Sequence, residues 1–468
     1  MRTVRADSPE YRRTRPPARR RGRDGSSSRA RRALGCGAVF ASLLAGPAAG
    51  QSRPVATAAP ATLTPEVARE LVLELMPEVE RLRGLSFKTP VPVEVVGEAA
   101  ARAYMEERIR AFQREEPLRL LGQAYALLQL LPPGSDPLEL ILGAMQEQAG
   151  GFYDPTAKAY YLLDHVPAAA APVFTVHELT HALEDQHFDL DARLRQVLDS
   201  EDASFARGAV HEGSATLVMS LHMSAAIASG RIDPAELRAL GEAQARSTRA
   251  LAELPPVLVR QLLGPYVLGA SFLASAELQR EHFPVQAVNR AYADGPVSSE
   301  QILHPEKFWD ADRRDLPQPV ELNGAGALLG RGFRLRAHGV LGELTLAALV
   351  GGAAPTGRLD LGRPDPASWT DEAAAGWDGD RWELWTRRSA AVVLLSTVWD
   401  SPEDAAQFAE ALPRDAALAR ERAAERVAIV AGDARSKHRR VLARMLGADG
   451  RAAGGASGTA LVAAGESR

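Results

Sequence analysis

Two histidines and a glutamate set the chemistry, because Val176-His177-Glu178-Leu179-Thr180-His181 is an intact HExxH pattern. Histidines four residues apart share one face of a helix, so both imidazoles reach a single metal ion. Glu178 falls about 100° round the same helix, which is where a general base for an attacking water has to be. A catalytic zinc ion takes three protein ligands and leaves a fourth position for water. The pattern therefore calls for a third ligand elsewhere in the chain. The bland alternative is a surface helix with two solvated histidines.

The element that must carry this pattern is a helix. Pro167 and Pro172 break the chain just ahead of it, and Val173, Phe174, Val176, Leu179 and Leu183 recur at helical spacing through Gln186. His187 lies ten residues after His177, where some metalloproteases place a third histidine after a glycine bends the chain back. Glu184 occupies that glycine position here. The helix is therefore expected to continue and to carry His187 about 15 Å along its axis from His177. The stronger candidate is Glu212, in Ala209-Val210-His211-Glu212-Gly213-Ser214-Ala215, on a helix predicted over residues 203–227. Phe205, Ala209, Met219 and Met223 share its face. Gly213 costs about 1 kcal/mol in a helix interior, which a tight helix approach beside the metal explains. A solvated surface glutamate is the other reading of Glu212.

Upstream, Thr64-Pro65-Glu66 starts a predicted helix over residues 64–85, with Val67, Leu71, Leu75 and Val79 on one face. A strand is predicted at 91–96, then helices through 106–112, 118–131 and 137–147 that pack the core. Gly150-Gly151-Phe152-Tyr153-Asp154-Pro155 and Ala159-Tyr160-Tyr161-Leu162-Leu163 read as two short strands around an Asp-Pro turn. Its glycines either let an extended peptide approach a strand edge or belong to an ordinary bulged hairpin.

Downstream, strands are predicted at 332–336, 381–387 and 390–399, and helices at 342–350, 402–412 and 434–446, a smaller α+β unit. Residues 351–366 read as a Gly/Pro-rich loop within it. Gly376-Trp377-Asp378-Gly379-Asp380-Arg381 is a turn leading into a strand or a part of the substrate cleft, with the turn favoured. No internal repeat is evident, and residues 447–468 read as a disordered tail.

Several of these segments together carry a family resemblance. A HExxH helix followed by a glutamate on a second helix resembles the gluzincin group of zinc metallopeptidases. More closely, His177-Glu178-Leu179-Thr180-His181-Ala182-Leu183-Glu184-Asp185-Gln186, Glu212-Gly213-Ser214-Ala215 and Ser299-Glu300-Gln301-Ile302-Leu303-His304-Pro305 resemble a family of exported bacterial neutral zinc metallopeptidases, as does the Gly-Trp-Asp-Gly-Asp-Arg segment. The similarity spans residues 150–408. It implies a zincin-like fold, one zinc ion held by His177, His181 and Glu212, and Glu178 as base. One departure is Ser214, where relatives have an acidic residue, so support for a histidine ligand is expected to be weaker or to come from Asp185. The implied reaction is metal-assisted amide hydrolysis of a peptide or protein, with Glu178 taking a proton from water and passing it to the leaving amine. An oxyanion donor is also needed. Tyr266 and His304 are the candidates, against roles as a core aromatic and as a turn residue before Pro305.

Charge and composition narrow the class further. Residues 1–32 hold 12 arginines against Asp7, Glu10 and Asp24, followed by an apolar, small-residue run to Gly50. That order reads as an export signal, with Arg31-Arg32 weakly resembling a twin-arginine signal. An uncleaved membrane anchor is the rival, disfavoured by a short run broken by Gly and Pro. Of 55 Lys and Arg and 59 Asp and Glu in the chain, 43 and 56 remain beyond residue 32. That acidic balance argues against nucleic acid as a partner. Cys36, the only cysteine, lies inside the apolar run, so no disulfide framework and no thiol nucleophile are available. The expected organisation is a leader (1–50), a zincin-like catalytic region (51–325), a C-terminal α+β region (326–446) and a tail (447–468), mostly helical and α+β overall. The alternative function is an exported zinc-binding or assembly protein of the same fold without catalysis, which would have no need of Glu178.

Overall fold

A computed structural model describes residues 63–111, 115–148, 150–232, 254–276, 285–351, 368–414, 418–433 and 437–447. The arginine-rich leader with Cys36, read as an export signal, the 351–366 segment beyond its first residue and the segment beyond Gly447 lie outside the described residues. The protein is mixed α+β, with helices predominating and two separate sheets.

The first half runs α1 (Pro65–Arg83), β1 (Val93–Val96), α2 (Glu98–Ala111), α3 (Glu115–Leu127), α4 (Pro137–Gln148), β2 (Gly151–Asp154), β3 (Ala159–Leu163) and α5 (Ala171–Phe188). Short α6 (Leu190–Arg195) then leads to α7 (Glu201–Ala228), α8 (Pro256–Ser275) and α9 (Val285–Asp294). Thr64 caps α1 by accepting from Val67 N, and Gly84 ends it with φ of 71°, a left-handed stop that glycine adopts without strain. β1 pairs parallel to β3 and β2 antiparallel to it, in the order β1-β3-β2, so β2 is an edge strand. The sheet and α1 pack on one side of α5 through Val79, Tyr160, Leu162, Val176, Leu179 and Leu183.

On its other side α5 meets α7, and α7 in turn lies against α8. The α7–α8 contact is backbone to backbone. A Cβ on Gly213 would overlap the carbonyl of Gly269, and one on Gly269 would overlap the carbonyl of Ala209. Gly213 is thus required by a close helix approach. Among the described residues α8 alone is long and apolar enough to cross a membrane, but 56% of its apolar window is buried. Packing against α7 through Leu268, Phe272 and Leu273 accounts for its composition.

The second half contains α10 (Ser299–Leu303), α11 (Glu306–Trp309), β4 (Arg334–Gly339), α12 (Gly342–Val350), β5 (Trp377–Arg387), β6 (Ala390–Trp399), α13 (Pro402–Ala411), β7 (Leu418–Ala423), β8 (Arg426–Gly432) and α14 (His438–Met445). Its antiparallel sheet has the order β4-β5-β6-β8-β7. One hydrophobic cluster joins α3 and the start of α8 to α12 and this sheet, through Tyr125, Leu128, Val257, Leu346, Trp382 and Val393. Sequence reading assigns no element to β7 or β8. β7 is rich in Ala, Arg and Glu, poor strand formers, and pairing with β8, buried along nearly its whole length, overrides that preference.

Candidate metal centre

The HExxH residues lie in the middle of α5, with most of that helix buried on all sides. His177 Nε2 and His181 Nε2 are 3.1 Å apart, and Glu212 Oε2, from α7, stands 3.1 Å from the first and 3.3 Å from the second. Ligand atoms on a tetrahedral zinc, at bond lengths of about 2.0–2.2 Å, stand about 3.3–3.5 Å apart. The three donor atoms therefore already have nearly the spacing that zinc demands, and two imidazole nitrogens with a carboxylate suit it chemically. The three side chains keep 9, 12 and 26% exposure, so solvent reaches the triad.

Electrostatics favour positive charge at this point. Burial would raise the Glu212 carboxyl, but His181 and His177 hold it far below the usual carboxylate range. Burial disfavours a charged His181, and the Glu212 carboxylate outweighs it and pushes the imidazole to about 9. A histidine ligates a metal only when neutral, so a zinc ion bound here would displace that proton. His211, next to Glu212, is pushed down to about 3 by burial and stays neutral, stacked on Tyr292 at 5.4 Å.

Glu178 is oriented from the backbone. Tyr153 N, on edge strand β2, donates to Glu178 Oε2 at 2.7 Å. Burial raises the Glu178 carboxyl above its ordinary value against the pull of His177 and His181, which makes it a better proton acceptor. Tyr266 also belongs to the site. Its ring stacks on His177 with centroids 5.8 Å apart, and the nearby Glu212 carboxylate raises the pKa of its hydroxyl. The close α7–α8 contact at Gly213 and Gly269 is what brings Tyr266, one turn before Gly269, to Glu212.

Other candidates fall elsewhere. α5 runs on to Phe188, and His187 Nε2 bonds Ser86 O at 2.8 Å, away from the triad as the non-glycine at 184 implies. His304 pairs with Glu343 of α12 at 3.1 Å, and Thr370 bonds the same carboxylate. Asp185 accepts from Tyr153 Oη, Lys158 Nζ and Leu190 N and so steadies β2 and the α5–α6 junction. The Gly150 and Gly151 positions are filled from within: a Cβ would overlap the Phe174 ring in one case and meet Tyr160 and Tyr161 in the other. In the Gly-Trp-Asp-Gly-Asp-Arg segment, β5 begins at Trp377, and buried Asp380 accepts from Leu341 N, Gly342 N and Trp377 Nε1. Among the described residues one more acidic group, Glu300, Asp315 and Asp400, is close enough to hold an ion. Lys307 Nζ already sits among them at 2.6, 3.0 and 3.1 Å.

Two features had no signal in the sequence. The Tyr153 donor is a main-chain group, which any residue but proline supplies. Glu184 bonds Arg83 of α1, Ser214 of α7 and Tyr292 of α9, and no local pattern announces these partners.

A family described as a domain of unknown function (DUF8575) matches residues 332–451. That segment covers the second sheet and contains no residue of the triad. No curated protein and no solved structure matches the chain.

Proposed function

We propose that this protein is an exported zinc-dependent peptidase with a zincin-like catalytic region. The observation that carries the reading is the convergence of His177, His181 and Glu212 within 3.3 Å of one another, with Glu178 held beside them by Tyr153 N. A zinc ion bound by these three residues would supply a Lewis acid for the scissile carbonyl and acidify the attacking water. Glu178 takes a proton from that water and returns it to the leaving amine, roles suited to its raised pKa and its fixed orientation. Tyr266, whose ring stacks on His177 beside Glu212, is the side chain we assign as oxyanion donor. Export rests on the arginine-rich leader and the apolar run that follows it.

The test is cleavage of casein and of a peptide library by the wild type and by Glu178→Gln, each loaded with zinc. Cleavage by the wild type alone supports a peptidase. Equal cleavage by both, or none by either, contradicts it.

A further inference from the structure

Glu184 has a fully buried side chain one turn beyond His181. Its carboxylate collects three donors from three different helices. Arg83 Nε of α1 lies 2.6 Å from Oε1, Ser214 Oγ of α7 lies 2.5 Å from the same oxygen, and Tyr292 Oη of α9 lies 2.6 Å from Oε2. Arg83 is itself fully buried, its guanidinium 5.8 Å from the Phe188 ring centroid and 6.0 Å from that of Tyr292. Tyr292 stacks in turn on Phe188, at 4.4 Å, and on His211.

The placement of these contacts gives them their meaning. Glu184 is three residues after His181 on α5, and Ser214 is two residues after Glu212 on α7. The Ser214–Glu184 bond thus joins the two ligand helices about one turn from the ligands themselves. The stacked His211–Tyr292–Phe188 rings make a second tie from the residue beside Glu212 to the end of α5. Removing one partner from a buried ion pair leaves an uncompensated charge, which is strongly destabilising locally. Hydrophobic contact alone could pack α5 on α7, but it would not fix their relative height as directional bonds to one carboxylate do.

We infer that Glu184, with Ser214 and Arg83, is a positioning residue for the metal centre: it locks α5 against α7 so that His177, His181 and Glu212 meet at metal-binding distance before any metal arrives. This rests on the metal reading proposed above. It assigns Ser214 a purpose of its own, as a donor to the buried carboxylate.

The experiment compares zinc affinity, by competition with a chromophoric chelator, in the wild type, Ser214→Ala, Glu184→Gln and Glu78→Gln. The visible absorption of the cobalt-loaded proteins is recorded beside it, because that spectrum follows ligand geometry and not fold stability. Glu78 ties α1 to His222 of α7, at 3.1 Å, and to Arg231 just beyond that helix, and so controls for loss of an interhelical tie away from the triad. The expected result is a zinc affinity about 10- to 100-fold weaker in Glu184→Gln, a loss in the same direction for Ser214→Ala, altered cobalt spectra in both, and wild-type behaviour in Glu78→Gln. Wild-type affinity and spectrum in Ser214→Ala and Glu184→Gln would overturn the inference, as would equal losses in all three variants. Should Glu184→Gln fail to fold, Ser214→Ala decides alone. A wild type that binds no zinc removes the metal reading itself, whereas zinc binding indifferent to these variants removes only the positioning role.

Discussion

His177 Nε2 and Glu212 Oε2 lie 3.1 Å apart although they are 35 positions apart in the sequence, on helices separated by α6. With His181 they form a donor set whose spacing fits zinc, held by α5 and α7 with β2 beside them.

Glu178 is the proposed base, and its carboxylate is held by Tyr153 N. Glu178→Gln is expected to retain the full zinc content and to lose about 10²–10⁴-fold in turnover. Zinc analysis and peptide cleavage on one preparation check this, and undiminished turnover sinks the general-base role.

Glu212→Ala is expected to weaken zinc binding far more than His187→Ala, because His187 is engaged with Ser86 O. A chelator competition on the two variants gives the order directly. The reverse order would transfer the third-ligand role to His187.

Tyr266→Phe removes a hydroxyl whose pKa the Glu212 carboxylate raises but leaves the ring on His177. It is expected to lower kcat by about 10²–10³ while KM and zinc content stay near wild type. A change confined to KM would place Tyr266 in substrate binding instead.

Gly269→Ala tests the helix contact that carries Tyr266. The added methyl overlaps the carbonyl of Ala209, so α7 and α8 must separate at a cost of about 1–3 kcal/mol. A lower urea midpoint together with weaker zinc binding is expected. A variant as stable as the wild type would contradict the close approach.

A pH effect is built into the junction between α7 and the second sheet. Burial pushes the Asp202 carboxyl up from 3.8 to about 7, with Asp380 and Glu343 adding to the shift, while Ser299 N and Oγ oppose it. Because the folded state holds a proton that the unfolded state releases, this contribution is present below about pH 4 and is lost as pH rises toward 7. Asp202→Asn is expected to flatten the fall in stability between those values. Urea midpoints measured across that range check it, and an unchanged slope would rule the residue out.

What the sequence discloses and what it hides have physical causes. His177, Glu178 and His181 are legible because helical periodicity alone puts them together. Gly213 points to a close helix contact because a glycine inside a long helix needs a reason, and the Gly269 backbone supplies it. The α5 helix announces only part of its burial, since its apolar stripe does not show that Thr175, Thr180, Glu184 and Asp185 are enclosed too. Tertiary partners far along the chain enclose them, as Arg83 and Tyr292 do for Glu184. His304 and Tyr266 look alike as candidates in the sequence, and only the fold separates them, one at Glu343 and the other at Glu212.

The most direct measurement is metal content per chain by elemental mass spectrometry on protein purified without chelator, for the wild type and Glu212→Ala together. About one zinc per wild-type chain and a large loss in the variant is the predicted result. No zinc in the wild type, even after zinc is supplied during refolding, would contradict the metal centre and the peptidase built on it.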